Sequence, residues 1–462
     1  MKRYSNYVGV NPVTIWELIK NHFPAMKADN DTYFSKNDLV SFFEQYCNLF
    51  LLSFGVVWTR LNAASQDWYG KYNQNFGETV ARVRTAEFFN SPRIHIILDS
   101  GGYQVAEGRI DQAGMMHLEK MYYSFIEEYF HLYNRAFILD FPPGPKSVAF
   151  SNFEEVYRHN LRSYLRAASL PGAIRDGIIY VHHVRTPELH EIFTKILREN
   201  DLFGSFSHYA TGSIASNYAS DTKTPYFIYA LPLVQLLNDA IKSKRKEFSY
   251  HVLGGANLRD AFTYEFVRYH IQKKHGVTVN ITFDGTNSLN PFLGRSFPVL
   301  GGQNVLYSAR STQFKRVDDN GRAIDRINEE LGRFSRAVDF KEIQVSYRED
   351  GNWSYETSLY LLLYSMYVYK QIEIASIQKA EELYPIYESG DYAEFNRKIE
   401  LVFRKLNAGK ITRKHKAKFH ALARTLDLLT TLDEDHCKYI ITHYLGRTEF
   451  RDLVREDKLM TI

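Results

Sequence analysis

The chain contains very little cysteine, with only Cys47 and Cys437 among 462 residues. Two cysteines exclude a disulfide framework and are typical of proteins from a reducing compartment. No apolar segment follows the basic residues at positions 2 and 3, which argues against a secretory signal. The longest apolar run, 359–369, is interrupted by Ser365 and is too short to cross a bilayer. We therefore expect a soluble, cytoplasmic protein with no membrane partner.

The chain also lacks a dominant sign of charge, since its formal net charge is only +4. Such a balance permits a polyanionic partner without requiring one. Basic residues nevertheless cluster at 242–246 and at 410–418. A solvated helix face is the ordinary explanation of such a run, and contact with nucleic acid is the alternative. The candidate nucleic-acid-binding residues are Lys244, Arg245, Lys246, Arg413, Lys414, Lys416 and Lys418.

Six segments share a pattern in which a short β-branched apolar run ends in polar or glycine residues and a helical stretch follows. They are 94–102, 135–141, 177–183, 208–213, 250–255 and 279–285. Alternating apolar strands and amphipathic helices predict an α/β fold with a parallel sheet covered on both faces. Polar residues end all six runs, which favours a (β/α)8 TIM barrel over a doubly wound sheet with one switch point. We expect the first two strands before residue 90, one of them within 48–55.

The intervening segments predict helices. The segment 151–168 has apolar residues at helical spacing, and Thr186-Pro187 forms a start signal for a helix over 189–198. The pattern changes after about residue 300, where 303–346 is charged and lacks strong strand runs. Helical periodicity then covers 359–383, 394–406 and 416–431. We expect a barrel catalytic domain over 1–300, with a divergent N-terminal part, and a mostly helical C-terminal domain over 301–462. Its first long helix could close the barrel, and the domain could bind nucleic acid.

The stretch Asp99-Ser-Gly-Gly-Tyr-Gln104 is the most informative for chemistry. An acid at a strand end, followed by two glycines, places a carboxylate beside backbone that a planar ligand can approach closely. Tyr103 supplies a flat face and Gln104 an amide with both donor and acceptor, as a pocket for a nucleobase requires. A simple turn is the alternative, and the polar residues at five other strand ends favour a site.

The same stretch resembles the Asp-Ser-Gly-Gly-(Phe/Tyr)-Gln motif of the guanine transglycosylases, which exchange guanine in nucleic acid for a 7-deazaguanine. Weaker similarities to this family follow in the family's order over about 94–290. Asp140, within Ile-Leu-Asp-Phe-Pro-Pro, matches the family's next acid, and 181–184 aligns with its Gln-Gly-Gly strand end. The segment 211–216 resembles the family's Gly-Gly-Leu-Ala-Val-Gly, and 252–256 resembles its Leu-Met-Gly-Val-Gly strand. Phe283-Asp284 stands at the position of the nucleophile. A histidine, His182 or His183, stands where the family has glutamine. Only 99–104 is specific by itself, and the other matches depend on their order.

The resemblance implies roles for the carboxylates. Exchanging a base breaks an N-glycosidic bond through an oxocarbenium-like state, which a carboxylate can trap covalently while a second acid protonates the leaving purine. Asp284 is then the nucleophile, Asp99 the general acid and base, and Asp140 the reader of the guanine amidine edge. Helix capping is the structural alternative for Asp140 and Asp284. The candidate base-binding residues are Asp140, Ser100, Gly102, Tyr103, Gln104, His182, His183, Gly212, Leu253 and Gly254.

Two departures from the family pattern bear on metal and substrate. The family's structural zinc requires a Cys-x-Cys-x-x-Cys cluster, which this chain lacks. His436, Cys437 and His443 are the remaining candidate ligands, and packing on a helix explains them better. We therefore expect no metal and no cofactor. The Pro-Thr-Arg that follows the family's nucleophile is replaced by 285–290, the sequence Gly-Thr-Asn-Ser-Leu-Asn.

Both departures resemble the divergent DNA-modifying branch of the family, found in phages and bacterial modification clusters. We expect the chain to exchange guanine in DNA for a free 7-deazaguanine base through a covalent Asp-deoxyribosyl intermediate. The alternatives are a tRNA-guanine transglycosylase of the queuosine or archaeosine type, and a non-catalytic partner subunit of one. An unrelated barrel glycosidase acting on a small nucleoside would not need the basic clusters. The sequence leaves open which 7-deazaguanine is used and whether the chain forms a homodimer.

Overall fold

The structure is a computed structural model of the whole chain. The residues that it describes are 7–8, 15, 36–54, 66–85, 89–102, 112–141, 153–184, 186–212, 226–255, 260–284, 296–301, 305–310, 332–334, 355–406 and 413–445.

Eight parallel strands form one sheet in the order β1-β8-β7-β6-β5-β4-β3-β2. Their bounds are β1 Tyr7–Val8, β2 Leu49–Ser53, β3 His95–Asp99, β4 Arg135–Phe137, β5 Ile178–His183, β6 His208–Gly212, β7 Glu247–Val252 and β8 Thr278–Asp284. All six segments with the shared sequence pattern contain a strand, and so does 48–55. The prediction of an α/β fold with a parallel sheet is confirmed.

A helix lies in each connection between consecutive strands of this sheet. The helices are α1 Lys36–Tyr46, α2 Gln66–Thr85, α3 Gln112–Tyr129, α4 Phe153–Ala168, α5 Gly172–Arg175, α6 Pro187–Glu199, α7 Ala230–Lys242 and α8 Ala261–His275. The short α5 and α4 share the connection between β4 and β5. Helix α4 covers the predicted segment 151–168 apart from its first two residues.

The sheet is curled, as a contact between two non-adjacent strands shows. Phe137 lies at the end of β4, and His251 lies near the end of β7. On a flat sheet three strand spacings would separate them by about 14 Å. Their ring centroids are 5.2 Å apart, so both side chains lie on the concave face. These two buried rings pack against each other across the interior of the curl.

Helix α6 shows how the local sequence determines where a helix begins and which of its faces packs on the sheet. Thr186 has an extended backbone and accepts a hydrogen bond from the backbone N–H of Leu189 at 3.2 Å. Pro187 occupies the first turn, where its missing N–H leaves no helical hydrogen bond unmade. Leu189, Phe193 and Ile196 are fully buried. The cap and the apolar face together fix where α6 begins and which side packs on the sheet.

The chain beyond β8 contains a hairpin that the sequence did not predict. β9 is Ser296–Gly301 and β10 is Val305–Arg310, and the two strands pair antiparallel. The sequence shows no strong strand run over 303–346, yet residues 305–310 of this range form β10. Six residues with one short apolar run give little periodic signal, and pairing with β9 stabilises them as a strand. The expected domain boundary at residue 300 lies inside β9.

Long stretches of the described chain beyond β10 are α-helices, followed by a π-helix at Ile441–Leu445, and the α-helices pack on the helices around the sheet. They are α9 Tyr355–Glu388, α10 Tyr392–Leu406, α11 Arg413–Thr431 and α12 Glu434–Ile440. Helix α9 contacts α8 and α1, with the Tyr46 and Tyr367 rings 5.2 Å apart. The Arg198 guanidinium of α6 binds Asp239 of α7 at 2.8 Å and Glu434 of α12 at 2.7 Å. None of the helices described combines the length and the apolar character needed to span a membrane.

Replacing Thr186 with alanine removes the cap of α6 while leaving its apolar face intact. We expect the free energy of unfolding to fall by about 1 kcal/mol, because the Leu189 N–H loses its acceptor. Urea unfolding monitored by circular dichroism measures the change. Thr186→Ser keeps the hydroxyl and should lie close to the wild type. An equal loss in both variants would show that the methyl group, and not the cap, matters.

Candidate active site

Asp99, Asp140 and Asp284 all lie at the carboxyl-terminal edge of the parallel sheet. Asp99 is the last residue of β3, Asp284 is the last of β8, and Asp140 follows β4 by three residues. Asp99 is in register with Ser53 of β2, and Asp284 with Val8 of β1. Because the strands are parallel, their carboxyl ends meet at one edge. The three acids predicted from sequence thus share an edge, and none lies at the opposite one.

Asp140 is buried and both of its carboxylate oxygens are hydrogen bonded. Its side chain is 8% exposed and lies 2.7 Å, through Oδ2, from His183 Nε2. The Ser100 hydroxyl donates to Oδ1 at 3.3 Å. These partners come from the ends of β3 and β5, on either side of β4. Neither partner is a helix N–H, so the contacts do not support helix capping as the role of Asp140.

Two glycines leave the space that this pair occupies. A Cβ added at Gly102 would lie 2.6 Å from Asp140 Oδ1, and one added at Gly212 would lie 2.5 Å from His183 Nδ1. Real Cβ atoms do not approach other atoms so closely, so any side chain would displace the pair. The sequence predicted that Gly102 and Gly212 expose backbone to a base. The structure gives both a second role, which is to make room for Asp140 and His183.

The turn after β3 depends on glycine as well. Gly101 has a positive φ of 86°, a conformation that costs other residues about 1–2 kcal/mol. Its N–H donates to Asp99 Oδ1 at 3.2 Å. The Asp-Ser-Gly-Gly motif therefore holds the Asp99 carboxylate through its own backbone and directs Ser100 toward Asp140.

Asp284 is held by the end of the neighbouring strand β7. Its Oδ1 accepts from the Gly254 N–H at 2.6 Å and lies 3.2 Å from His251 Nε2. Gly254 has a positive φ of 71°, which turns this N–H toward the carboxylate. The Gly254 N–H thus serves Asp284, and the predicted contact of Gly254 with a base stays a prediction. Leu253 donates its N–H to Thr211 and packs against the core.

His251 belongs to the site and was not predicted from the sequence. Its side chain is 3% exposed and lies between Asp284, Thr282 and the ring of Phe137. The alternation of side-chain direction along β7 and β8 could have revealed it. Counting by twos from Asp284 places Thr282 on the same face of β8. A histidine at the same level of the adjacent strand then lies within reach of both.

Comparison of the chain with models of known protein families and with curated proteins gives no match.

His182 does not face Asp140, because successive residues of a strand point to opposite sides. Its Nε2 lies 3.0 Å from His190 Nδ1 of α6, and its ring also contacts Phe193. Of the two histidines predicted as alternatives, His183 is the one that contacts Asp140, whereas His182 faces α6. Burial, and then the neighbouring His190, hold the pKa of His182 well below its usual value. Burial lowers the pKa of His190 to about 4.

The first cluster of basic residues lies far from the three acids. Lys244, Arg245 and Lys246 precede β7, at the amino-terminal edge of the sheet and about 20 Å from the carboxylates along the strand. The Arg245 guanidinium donates to the carbonyls of Phe206 and Phe203 and packs over the Phe203 ring at 4.5 Å. Arg245 therefore stabilises the fold, and the predicted contact of this cluster with nucleic acid stays a prediction.

Several predicted residues lie outside the described part of the chain. Tyr103 and Gln104 do, and so does the loop 285–290. Arg413, Lys414, Lys416 and Lys418 lie in α11, but their side chains are not described. Their predicted roles stay predictions.

The remaining metal candidates have other partners. His436 Nε2 lies 2.9 Å from the Tyr226 hydroxyl, and His443 Nδ1 lies 2.9 Å from the Tyr439 carbonyl. Burial raises the pKa of Cys437 to about 12, which disfavours the thiolate that zinc requires. Among the described residues, no three His, Cys, Asp or Glu side chains are grouped so that they could hold a metal ion.

Gly212→Ala tests the close packing at His183. The new methyl group would overlap the imidazole, so we expect the free energy of unfolding to fall by about 1–3 kcal/mol. Thermal and urea unfolding measure this loss. Gly204→Ala is the matched control, because a Cβ there meets nothing within 4 Å. Equal stabilities of the two variants would contradict the described packing.

The His182–His190 pair predicts a loss of stability in acid. The unfolded chain binds a proton at His190 near pH 6.5, whereas the folded chain does so only near pH 4. The contribution of His190 to the free energy of unfolding is therefore fully present above pH 6.5. It is lost as the pH falls to about 4, by about 3 kcal/mol in total. Urea unfolding at several pH values in this range measures the slope.

His190→Asn is the comparison, since His208 and His270 also have lowered pKa values and stay in the variant. We expect its stability to depend less steeply on pH than that of the wild type. Parallel curves for the two proteins would remove His190 as a cause.

Proposed function

We propose that this chain is a base-exchange enzyme of the guanine transglycosylase type, which replaces guanine in DNA by a 7-deazaguanine. One observation carries the proposal: Asp99, Asp140 and Asp284 lie at or just beyond the carboxyl ends of three strands, at one edge of a curled sheet, and their surroundings differ. Asp140 is buried and doubly hydrogen bonded, whereas Asp284 is 17% exposed and held through one oxygen. Carboxylates with distinct surroundings can take distinct chemical roles.

The exchange proceeds in two displacements. A lone pair of Asp284 attacks C1′ of the deoxyribose while the C1′–N9 bond breaks and its electron pair passes to the purine. Asp99, in its protonated form, gives its proton to the leaving guanine. The incoming base then transfers its N9 proton to Asp99 and attacks C1′, and the bonding pair of the ester returns to Asp284. Both steps are in-line displacements at one carbon, and no redox change occurs.

In the proposed reaction, Asp140 recognises the base by accepting hydrogen bonds from it. The amidine edge of guanine presents two N–H donors, and a carboxylate has about four lone-pair sites for such donors. Ser100 and His183 each use one of them, which leaves capacity on both oxygens. Because these partners are fixed, the carboxylate is held in one orientation before the base arrives. This preorganisation lowers the cost of binding.

The polymer is assigned from the sequence. The loop at 285–290 and the missing cysteine cluster resemble the DNA-modifying branch. In a duplex the target guanine is stacked and paired, so the nucleotide has to be turned out of the helix at a cost of a few kcal/mol. The start of α11, with Arg413, Lys414, Lys416 and Lys418, is the proposed contact for phosphates. A free 7-deazaguanine base is the second substrate.

We also propose that the curled sheet closes into a (β/α)8 barrel and that a helical C-terminal domain is appended to it. Two contacts support closure. β1 pairs with β8, and β1 and β2, at the two ends of the strand order, have Cα atoms within 8 Å of each other. Helix α9 lies against both α8 and α1, where the eighth helix of such a barrel belongs.

Asp284→Asn tests the covalent step. The amide has nearly the same shape but cannot form the ester, so we expect the denaturation-resistant adduct with the polymer to disappear. Incorporation of labelled guanine should fall at least about 10³-fold. Gel electrophoresis under denaturing conditions and filter counting measure the two effects.

Asp201→Asn is the matched control, because Asp201 is exposed and precedes the amino-terminal end of β6. It should react as the wild type does. An adduct that persists in Asp284→Asn and disappears in Asp99→Asn would exchange the two roles. Uptake of label into a tRNA anticodon loop, with none into duplex DNA, would replace DNA by tRNA as the substrate.

A further inference from the structure

The two carboxylate oxygens of Asp284 differ in their contacts with the described residues. Its Oδ1 receives both of the contacts described above, from the Gly254 N–H at 2.6 Å and from His251 Nε2 at 3.2 Å. Within the described part of the chain, Oδ2 has no hydrogen-bond partner. A carboxylate oxygen that accepts two hydrogen bonds has its lone pairs engaged and is the weaker nucleophile of the two.

The imidazole of His251 is held on three sides. Its Nδ1 lies 2.9 Å from the Thr282 hydroxyl, and its ring packs against Phe137 across the interior of the curl. An ionised carboxylate can only accept, so the contact with Asp284 requires a proton on Nε2. In the neutral imidazole Nδ1 then has a bare lone pair, to which the Thr282 hydroxyl donates. The contact with Asp284 thus sets the tautomer, and the Thr282 hydroxyl stabilises it by donating to Nδ1.

We infer that His251 is a positioning residue for the nucleophile: with the Gly254 N–H it holds Oδ1, so that Oδ2 of Asp284 forms the bond to C1′. This inference rests on the proposed function. The attack takes an Oδ2 lone pair, the C1′–N9 electron pair leaves with the purine, and no proton passes through His251. The histidine acts only by fixing which oxygen faces the sugar and at what angle. Thr282 acts one contact further away, through the tautomer.

Two pairs of variants test this role. His251→Leu removes the donor, whereas His251→Gln keeps an N–H at a similar distance from the backbone. Thr282→Val removes the hydroxyl with almost no change of shape, whereas Thr282→Ser retains it. Each pair separates the hydrogen bond from the packing, and thermal unfolding checks that all four proteins are folded.

Exchange into duplex DNA with labelled guanine gives kcat and KM. We expect His251→Leu to lose up to about 100-fold in kcat while KM stays nearly constant, because the polymer still binds but the attacking oxygen is misplaced. His251→Gln should recover most of that loss. Thr282→Val should show a smaller loss in kcat, and Thr282→Ser none. A kcat unchanged in His251→Leu, or a similar loss in both His251 variants, would overturn the inference.

Nitrogen-15 NMR of the histidine rings tests the same contact without activity. The wild type should show His251 with its proton on Nε2, and Thr282→Val should shift the ring toward a mixture of tautomers. A wild-type His251 with a proton on Nδ1 and none on Nε2 would overturn the inference whatever the kinetics. If the wild type exchanges no base into DNA or tRNA, the proposed function fails. In that case the NMR result still decides whether His251 holds Asp284.

Discussion

A carboxylate that is removed from water has to receive hydrogen bonds, and this requirement governs the carboxyl-terminal edge of the sheet. Asp140 meets it with a histidine and a serine from the strands on either side. Asp284 meets it with a backbone N–H and a histidine from the strand beside it. In both cases the partner belongs to a different strand, so the acids keep their surroundings only while the strands stay in register. The order of the parallel sheet is therefore a condition for the site.

The same requirement explains the small residues at this edge. Gly102 and Gly212 have no side chain because Asp140 and His183 occupy that space, and Gly101 and Gly254 adopt positive φ values so that their N–H groups reach Asp99 and Asp284. A glycine in a strand-end motif can thus serve a neighbouring acid before it serves any ligand. This interpretation differs from the usual one, in which such glycines only let a substrate come close.

Strands with a continuous apolar run, such as β3 and β8, could be predicted because local sequence and burial on both faces point to the same structure. The two residues of β1 and the hairpin of β9 and β10 could not, since their pairing depends on partners distant in sequence. At the site, the three acids were recognisable from their positions at strand ends. Other placements could not be predicted from one segment, because they depend on the register between strands and on the face of the strand to which each side chain points. They are the position of His251 beside Asp284, the contact of His182 with α6, and the hydrogen bonds of Arg245 to backbone carbonyls.

The ion pairs of Arg198 with Asp239 and Glu434 bear on how the chain can be divided. They join α6, α7 and α12, and they lie beside an apolar core that runs without interruption from the strands into α9 and α11. A chain ended near residue 300 would expose Phe262 and Phe266 of α8, which pack against Phe403 and Tyr384 of the later helices. Such a fragment would expose a large hydrophobic surface to water and tend to aggregate. The final third of the polypeptide is thus a structural support for the strands that hold the acids, whatever else it binds.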